Sequence, residues 1–219
     1  KRNTPKTTIM ESSIDKKAYL RIKAKLEGFL ENPGKILLKN KGNSVHERYA
    51  RAIALFRIPM FRKSLNEINM LINDYPNDPF FLELKAQIYS ENGYLEEAIE
   101  AYQKSLNIIP DTPLIMLSLS GLLLESSKYN IDRAKIAKNY LLNIIKKEPE
   151  NILAWHLKGI AHNRLGETSE ADLSAAEEFL KRRNYGRAKY FANKVISETK
   201  KFSSQNIRAS DIIKIINQI

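Results

Sequence analysis

Apolar positions along this chain recur at steps of three and four residues, and strict alternation is missing. That period belongs to helices. Near the N-terminus Tyr19, Ile22, Leu26, Phe29 and Leu30 share one helical face. A cap at Ser13 or Asp15 and the breaker Pro33-Gly34 bound this helix at about Glu31. Lys35 to Asn43 follows as a connector, with room for one short helical turn. From there the pattern comes in pairs of helices. Between Pro79 and Thr112 the first helix offers Leu82, Ala86 and Tyr89, Gly93 makes the turn, the second offers Ala98, Tyr102 and Ser105, and Pro110 stops it. Ala86 and Ala98 leave space at a close crossing for the rings of Tyr89 and Tyr102. One helical pair cannot bury its own apolar face, so stacked neighbours are required.

The neighbours are visible. In residues 45–78, Ala52 and Leu55 stand where Ala86 and Tyr89 stand, and Ser64, Ile68 and Leu71 where Ala98, Tyr102 and Ser105 stand. Pro59 takes the turn position of Gly93, and Pro76 lies 34 residues before Pro110. Residues 113–151 form a third pair, with Met116, Leu119, Ser120 and Leu123 on one helix and Ala137, Leu141 and Ile144 on the other. Pro110 to Pro149 is 39 residues, so five extra residues are placed at Ser126 to Asp132. Residues 152–183 carry Trp155, Lys158, Gly159 and His162, a turn at Gly166, and a second helix over Ser169 to Arg183 with Ala171 and Ala175. This follows the W-x2-L-G-x2-Y spacing of the tetratricopeptide repeat (TPR), with Lys and His as departures. In residues 184–219 the chain turns at Asn184-Tyr185-Gly186. Ala188, Ala192 and Val195 then repeat a second-helix pattern. A loop spans Phe202 to Asn206, and a last helix starts at Ser210 or Asp211. Its Ile212, Ile213, Ile215 and Ile216 would cap the array or meet a further part of the protein. The fold expected is all-α: a TPR-type helical-hairpin solenoid, coiled as a right-handed superhelix. Its N-terminal helix and connector cover 13–43, its capping helix closes the C-terminus, and residues 1–12 are frayed.

Composition narrows the function. The 219 residues are 43% hydrophobic and 28% charged, enough for a sizeable core, and 8 Gly with 8 Pro suit helices on short turns. No cysteine is present, which excludes disulfides, thiolate metal sites and thiol catalysis. The net charge of +11 fits either an acidic partner or a solvated Lys-rich surface; the dispersal of the basic residues favours the surface. The most apolar run, Pro113 to Leu124, is too short to span a membrane and is broken by Ser118 and Ser120. A start at Lys1 without Met suggests a piece of a longer protein.

Catalytic motifs are missing. His46-Glu47 begins an H-E-x-x-H but Ala50 stands four residues after His46, and His156 and His162 fall on different helical faces. Phosphate-binding glycine motifs and a nucleophile elbow are absent. Glu96-Glu97 and Glu177-Glu178 read as solvated neighbours. Nothing assembles a nucleophile, a base and an orienting group, so this chain reads as a non-enzyme without cofactor or metal.

Binding is the remaining class. The first helices of such an array line its groove. There the spacing places Tyr49, Ile53, Phe56 and Arg57, then Glu83, Gln87 and Ser90, then Leu117, Gly121 and Leu124, then His156, Ile160 and Asn163. This mixture suits an extended peptide or a partner loop. The competing reading makes Tyr49, Phe56 and Leu117 plain core beneath the N-terminal helix. The Lys and Asn of a carboxylate clamp are replaced by Tyr49, Ile53, Glu83 and Gln87. Lys181-Arg182-Arg183 with Arg187, Lys189 and Lys194, interleaved with Tyr185 and Tyr190, could hold nucleic acid. A solvated helix end is the stronger account, and no nucleic acid is expected.

The order AKLEGFLENP, ERYARAIALFR, NDPFFLELKAQIYSENG and the long RRNYGRAK-containing segment resembles the C-terminal TPR region of bacterial zinc metalloproteases similar to the β-barrel-assembly-enhancing protease. The resemblance covers roughly Lys17 to Ile196. It implies a zinc-bearing H-E-x-x-H domain in a parent protein that is periplasmic or membrane-associated. The TPR part would then contact that protease domain, assembly partners or misfolded substrates, and any membrane contact would come through the parent. None of the catalytic residues can be carried over. The alternative is a free-standing TPR scaffold in the cytoplasm.

Overall fold

The computed structural model describes residues 6–126 and 130–218, with side chains for Lys16 and from Ala18 onward. Expectations for residues 1–5, for Ser127 to Tyr129 within the inserted segment, and for Ile219 lie outside these. Every regular element among the described residues is a helix, and the chain forms two compact units. Unit 1, Lys1–Ile108, contains α1 (Lys6–Leu30), α2 (Pro33–Lys39), α3 (Val45–Arg57), α4 (Phe61–Asp74), α5 (Pro79–Glu91) and α6 (Leu95–Ile108). Unit 2, Ile109–Ile219, contains α7 (Pro113–Glu125), α8 (Ile131–Lys147), α9 (Ile152–Arg164), α10 (Thr168–Lys181), α11 (Tyr185–Glu198) and α12 (Ser204–Asn217).

Local chemistry sets the helix ends. Proline in the first turn opens α2, α5 and α7, where its missing N–H costs no hydrogen bond. Asp78 accepts from the Phe80 N–H at 3.0 Å, Asn151 from Ala154 at 3.0 Å, and Ser44 with Glu47 forms a reciprocal capping box ahead of α3. Gly93 (φ +79°) and Gly166 (φ +74°) end α5 and α9 in the left-handed region. The next N–H then reaches back, Tyr94 to the Tyr89 carbonyl at 3.0 Å and Glu167 to that of His162 at 2.9 Å. Arg183 makes the same turn after α10 with φ +57°, and Asn184 bonds the Phe179 carbonyl at 2.9 Å. The turn expected at Asn184-Tyr185-Gly186 therefore lies earlier. Asn184 is the cap of α11, and Tyr185 and Gly186 are already helical.

Within each unit, hairpins stack through their small and aliphatic positions. Ala52, Ala86, Ala98, Ala137, Ala188 and Ala192 are fully buried, as are Ile68, Leu71, Leu119, Leu141 and Ile144. Each buried aliphatic side chain of this size contributes about 1.5–3 kcal/mol. Tyr102 is buried, whereas Tyr89 lies half-buried among Phe61 and Tyr94, whose rings stack at 5.0 Å. The five extra residues of the third pair are shared. Against the second pair, α8 is three residues longer than α6 (17 against 14), and the link between the two helices has five positions rather than three.

Three other expectations give way. The first helix begins at Lys6, before Ser13 and Asp15 and inside the stretch expected to fray. Its anticipated packing face points outward, with Tyr19, Ile22, Leu26 and Leu30 between 54% and 78% exposed. The buried side carries Ala24 and Gly28, because α1 approaches α3 closely: a Cβ on Gly28 would stand 2.9 Å from Ile53 Cβ. The last helix starts at Ser204, capped by Ser203, rather than at Ser210 or Asp211. Ile212 is its core contact, with Ile213 and Ile216 packed alongside and Ile215 exposed.

Candidate functional site

The first helices of the two hairpins in unit 1, α3 and α5, present a face that α1 covers. Tyr49 and Ile53 on that face are fully buried. Tyr49 stacks edge-on against Phe81 at 4.9 Å, and its hydroxyl donates to the Phe80 carbonyl at 3.4 Å. Burial, with the charges of Glu83 and Asp78, pushes its phenol pKa up. Phe56 packs on the same core. Arg57 donates to the carbonyls of Gly28 at 2.9 Å and Glu31 at 2.5 Å, satisfying the C-terminal end of α1. Glu83, almost fully buried, accepts two bonds from Lys25 of α1 at 2.8 and 3.0 Å, and also one from Gln87 at 3.3 Å. Arg21 pairs with Asp78 and lies 4.5 Å above the Phe80 ring. Six positions expected to line an open groove, Tyr49, Ile53, Phe56, Arg57, Glu83 and Gln87, thus form the seat of this chain's own first helix or adjoin it.

Unit 2 differs. On α7, Leu124 is core and Leu117 is half-buried. Beyond them a cavity of about 610 Å³ opens over α9, α10 and α11. Its α9 wall holds His156, Ile160 and Asn163, three of the expected groove positions. The small residues Gly159, Ala171 and Ala175 make its depth. Phe179 and Phe191 form its apolar end, their rings parallel at 5.7 Å. Arg187 lies 5.2 Å above Phe179. Phe179, Arg187 and Phe191 were missed by the sequence reading, which took α11 for a second-helix pattern and Arg187 for part of a solvated basic cluster. The four-residue step from Arg187 to Phe191 was the available signal.

Charge in this groove is arranged, not merely present. Glu178, largely buried, accepts from Arg182 Nε at 2.8 Å and meets His156 Nδ1 at 3.0 Å. Asp172 meets Lys194 at 2.8 Å, an interaction that holds the ammonium pKa above its ordinary value. Glu177, expected to be solvated beside Glu178, is buried and pairs with Arg208 of α12 at 2.5 Å on the other side of α10. The basic cluster also disperses. Lys181 reaches Glu150 at 2.8 Å, while Arg182, Arg187 and Lys194 turn into the groove or its edge. Arg183 and Lys189 of the same cluster remain exposed. On the opposite side of α9, Trp155 donates its indole N–H to the Pro149 carbonyl at 2.8 Å, and Lys158 lies 4.7 Å over the ring. Nearby His162 is buried with Nδ1 2.5 Å from Glu167, which also takes Lys138 at 2.8 Å. Burial holds the His162 pKa below its ordinary value against the opposing pull of Glu167.

Residues 81–112 match the family model of the tetratricopeptide repeat. Most of the chain is similar to solved helical-repeat proteins. One is MamA (residues 41 to the end) from Desulfovibrio magneticus RS-1, at TM-score 0.61 and 13% identity over 81% of this chain and 95% of that one. Another is YrrB, described as a TPR protein with an unusual peptide-binding site, at TM-score 0.60 and 16% identity over 86% and 93%. The fold is that of the TPR proteins. No curated protein sequence matches the chain. Of the hairpins α3–α4, α5–α6, α7–α8, α9–α10 and α11–α12, the family model matches α5–α6; Gly93, Gly166 and Arg183 lie in the turns after α5, α9 and α10. No group of three or more metal-binding side chains gathers among the described residues, and no described helix is long and apolar enough to cross a membrane.

Proposed function

We propose that this chain is a TPR protein-interaction scaffold, and that the groove over α9, α10 and α11 receives an extended segment of a partner protein. The observation that carries this is the contrast between the two units. The first-helix face of unit 1 is filled by α1, whereas in unit 2 α9 and α11, with the second helix α10 between them, leave about 610 Å³ open, with an apolar end, small-residue depth and polar groups at its rim. Binding pockets have this composition. The peptide-binding site attributed to the structurally similar YrrB supports the same reading. The likeness to these two helical-repeat chains supports a repeat scaffold. The zinc-protease parent, with its periplasmic or membrane-associated setting, has only the sequence resemblance behind it.

The test is selection of phage-displayed random peptides on the full chain, followed by binding of the selected peptides to Ala175→Trp, which fills the groove. Circular dichroism establishes that the variant is folded. Selected peptides should lose binding to the variant. Peptides that bind both proteins equally, or a selection with no enrichment, would overturn the groove assignment.

A further inference from the structure

Resting on the groove reading above, we infer that the segment bound there presents an acidic side chain, set beside an apolar residue, and that Arg187 is its counter-charge. Both carboxylates lining the groove are already engaged within the chain, Glu178 by Arg182 and His156 and Asp172 by Lys194. They therefore offer little to a basic ligand. Arg187 differs from its neighbours. Its guanidinium lies over Phe179, 5.2 Å from the ring centroid, and it makes no ion pair among the described residues. An arginine without an ion pair keeps its fork of donors for a carboxylate. Phe179 and Phe191, stacked beside it, give an apolar neighbour a surface to cover.

The filled face of unit 1 shows the same logic with the signs exchanged. There the groove is acidic, and its occupant is basic. Asp78 takes Arg21, the buried Glu83 takes Lys25, and the aromatic Phe80 lies beneath both cations at 4.5 and 5.7 Å. A charged side chain of the occupant meets an opposite charge, next to an aromatic ring, at the first helix α5. In unit 2 the ring, Phe179, stands on α10 and the charge, Arg187, on α11; the charge is positive, and no described helix of unit 2 covers them. An acidic occupant completes the pattern. A nucleic-acid phosphate would offer the same sign of charge, but it would not use the apolar end of the cavity, and Lys181, Arg182 and Lys194 of the same cluster are tied to separate partners.

The experiment is the selection on the full chain with random displayed peptides, read for composition. Enriched sequences should carry Asp or Glu next to Phe, Leu or another large apolar residue. Synthesised with amidated C-termini, so that only side-chain carboxylates remain, they should keep their affinity. Arg187→Glu should weaken them by about tenfold or more, the loss expected for one charged hydrogen-bonded contact, and should admit the same peptides with Asp and Glu changed to Lys. Arg187→Gln should fall between. Arg187 is exposed, so these variants keep the fold. Enriched peptides without acidic residues, amidated peptides that no longer bind, or an Arg187→Glu protein that binds as well as the original would overturn the acidic-ligand inference while leaving the groove reading in place. Loss of all enrichment, or indifference to Ala175→Trp, removes the groove reading itself.

Discussion

Replacing Gly28 by valine tests how α1 is held on its face of unit 1. A Cβ at this position would stand 2.9 Å from both Ile53 Cβ and Cγ2, and 3.1 Å from Cδ1. Carbon atoms rest at about 3.5–4.0 Å. Ile53 cannot yield, because it is fully buried in a cluster with Tyr49, Ile68, Leu71 and Phe81. Overpacking of this kind costs about 1–3 kcal/mol, and the two γ carbons of valine place it in the upper part of that range. The opposing effect is small: removing glycine from a helix interior recovers a few tenths of a kcal/mol, about the difference between the Gly and Val propensities. Packing wins. If α1 instead lifts away, it gives up the Arg57 bonds to its C-terminal carbonyls and the Lys25 bonds to Glu83, leaving a buried carboxylate without its cation. Urea unfolding followed by far-ultraviolet circular dichroism measures the loss, and hydrogen exchange localises it to α1 and α3. Combining Gly28→Val with Ile53→Ala removes the clashes with Cγ2 and Cδ1 and leaves only that with Cβ, so the double variant should be less destabilised than the sum of the two by about 1 kcal/mol or more. An unchanged midpoint with full protection of α1, or strict additivity in the double variant, would refute the close approach.

Two further outcomes follow from other positions. Ala98→Arg puts a long cation where a fully buried methyl meets the α5–α6 crossing; it should destabilise by about 3 kcal/mol or more, from overpacking and an unpaired charge together, and a urea midpoint equal to the original would show the repeat register to be wrong. His162 binds its proton less readily in the folded chain than in the unfolded one, chiefly through burial and also through Lys158 and Lys138. Its contribution is therefore intact above the unfolded pKa of about 6.5 and is lost as pH falls below it; unfolding midpoints should drop across that window, and in His162→Gln the drop should shrink, whereas an identical profile would remove His162 as its source.

The paired helices were legible because their signals are local. The Ala86 and Ala98 positions, the 34-residue step of Pro76 and Pro110, and the glycines that must take positive φ each lie within one hairpin. What failed depended on partners far along the chain. On α1 two stripes compete, one of large apolar residues and one of Ala24 and Gly28. Hydrophobicity alone chooses the first, but the depth of approach to Ile53 chooses the second, and that depth is written in α3. Glu177 and Glu178 look alike in sequence. One faces Arg208, 31 residues on, and the other faces His156, 22 residues back. The positive φ of Arg183 carries no glycine to announce it. The α9 wall of the groove was readable, since His156, Ile160 and Asn163 follow the first-helix spacing. The Phe179–Arg187–Phe191 end was not, because it needs α10 and α11 folded against each other.

The fate of each first-helix face is decided by the residues offered to it. Unit 1 keeps α1 in place because Ala24 and Gly28 let two backbones come close while Arg21 and Lys25 reach acidic partners at the rim. Either half of this would be weak alone. A buried carboxylate's ion pair is offset by the cost of desolvating it, and a small-residue crossing without large apolar side chains buries modest area. Together they act on both the depth and the register of the helix: Lys25 meets the buried Glu83 while Gly28, three residues on, sits on Ile53. Unit 2 has the receiving half of such an arrangement, in Gly159, Ala171, Ala175, Phe179 and Arg187, and no described helix of its own that supplies the other half. A chain that only needed to be stable would have filled that space with a larger side chain at Ala175, or closed it over Phe179 and Phe191. Leaving it open forgoes burial of aromatic surface at about 25 cal/mol per Å², and a ligand segment that covers those rings and meets Arg187 would recover it.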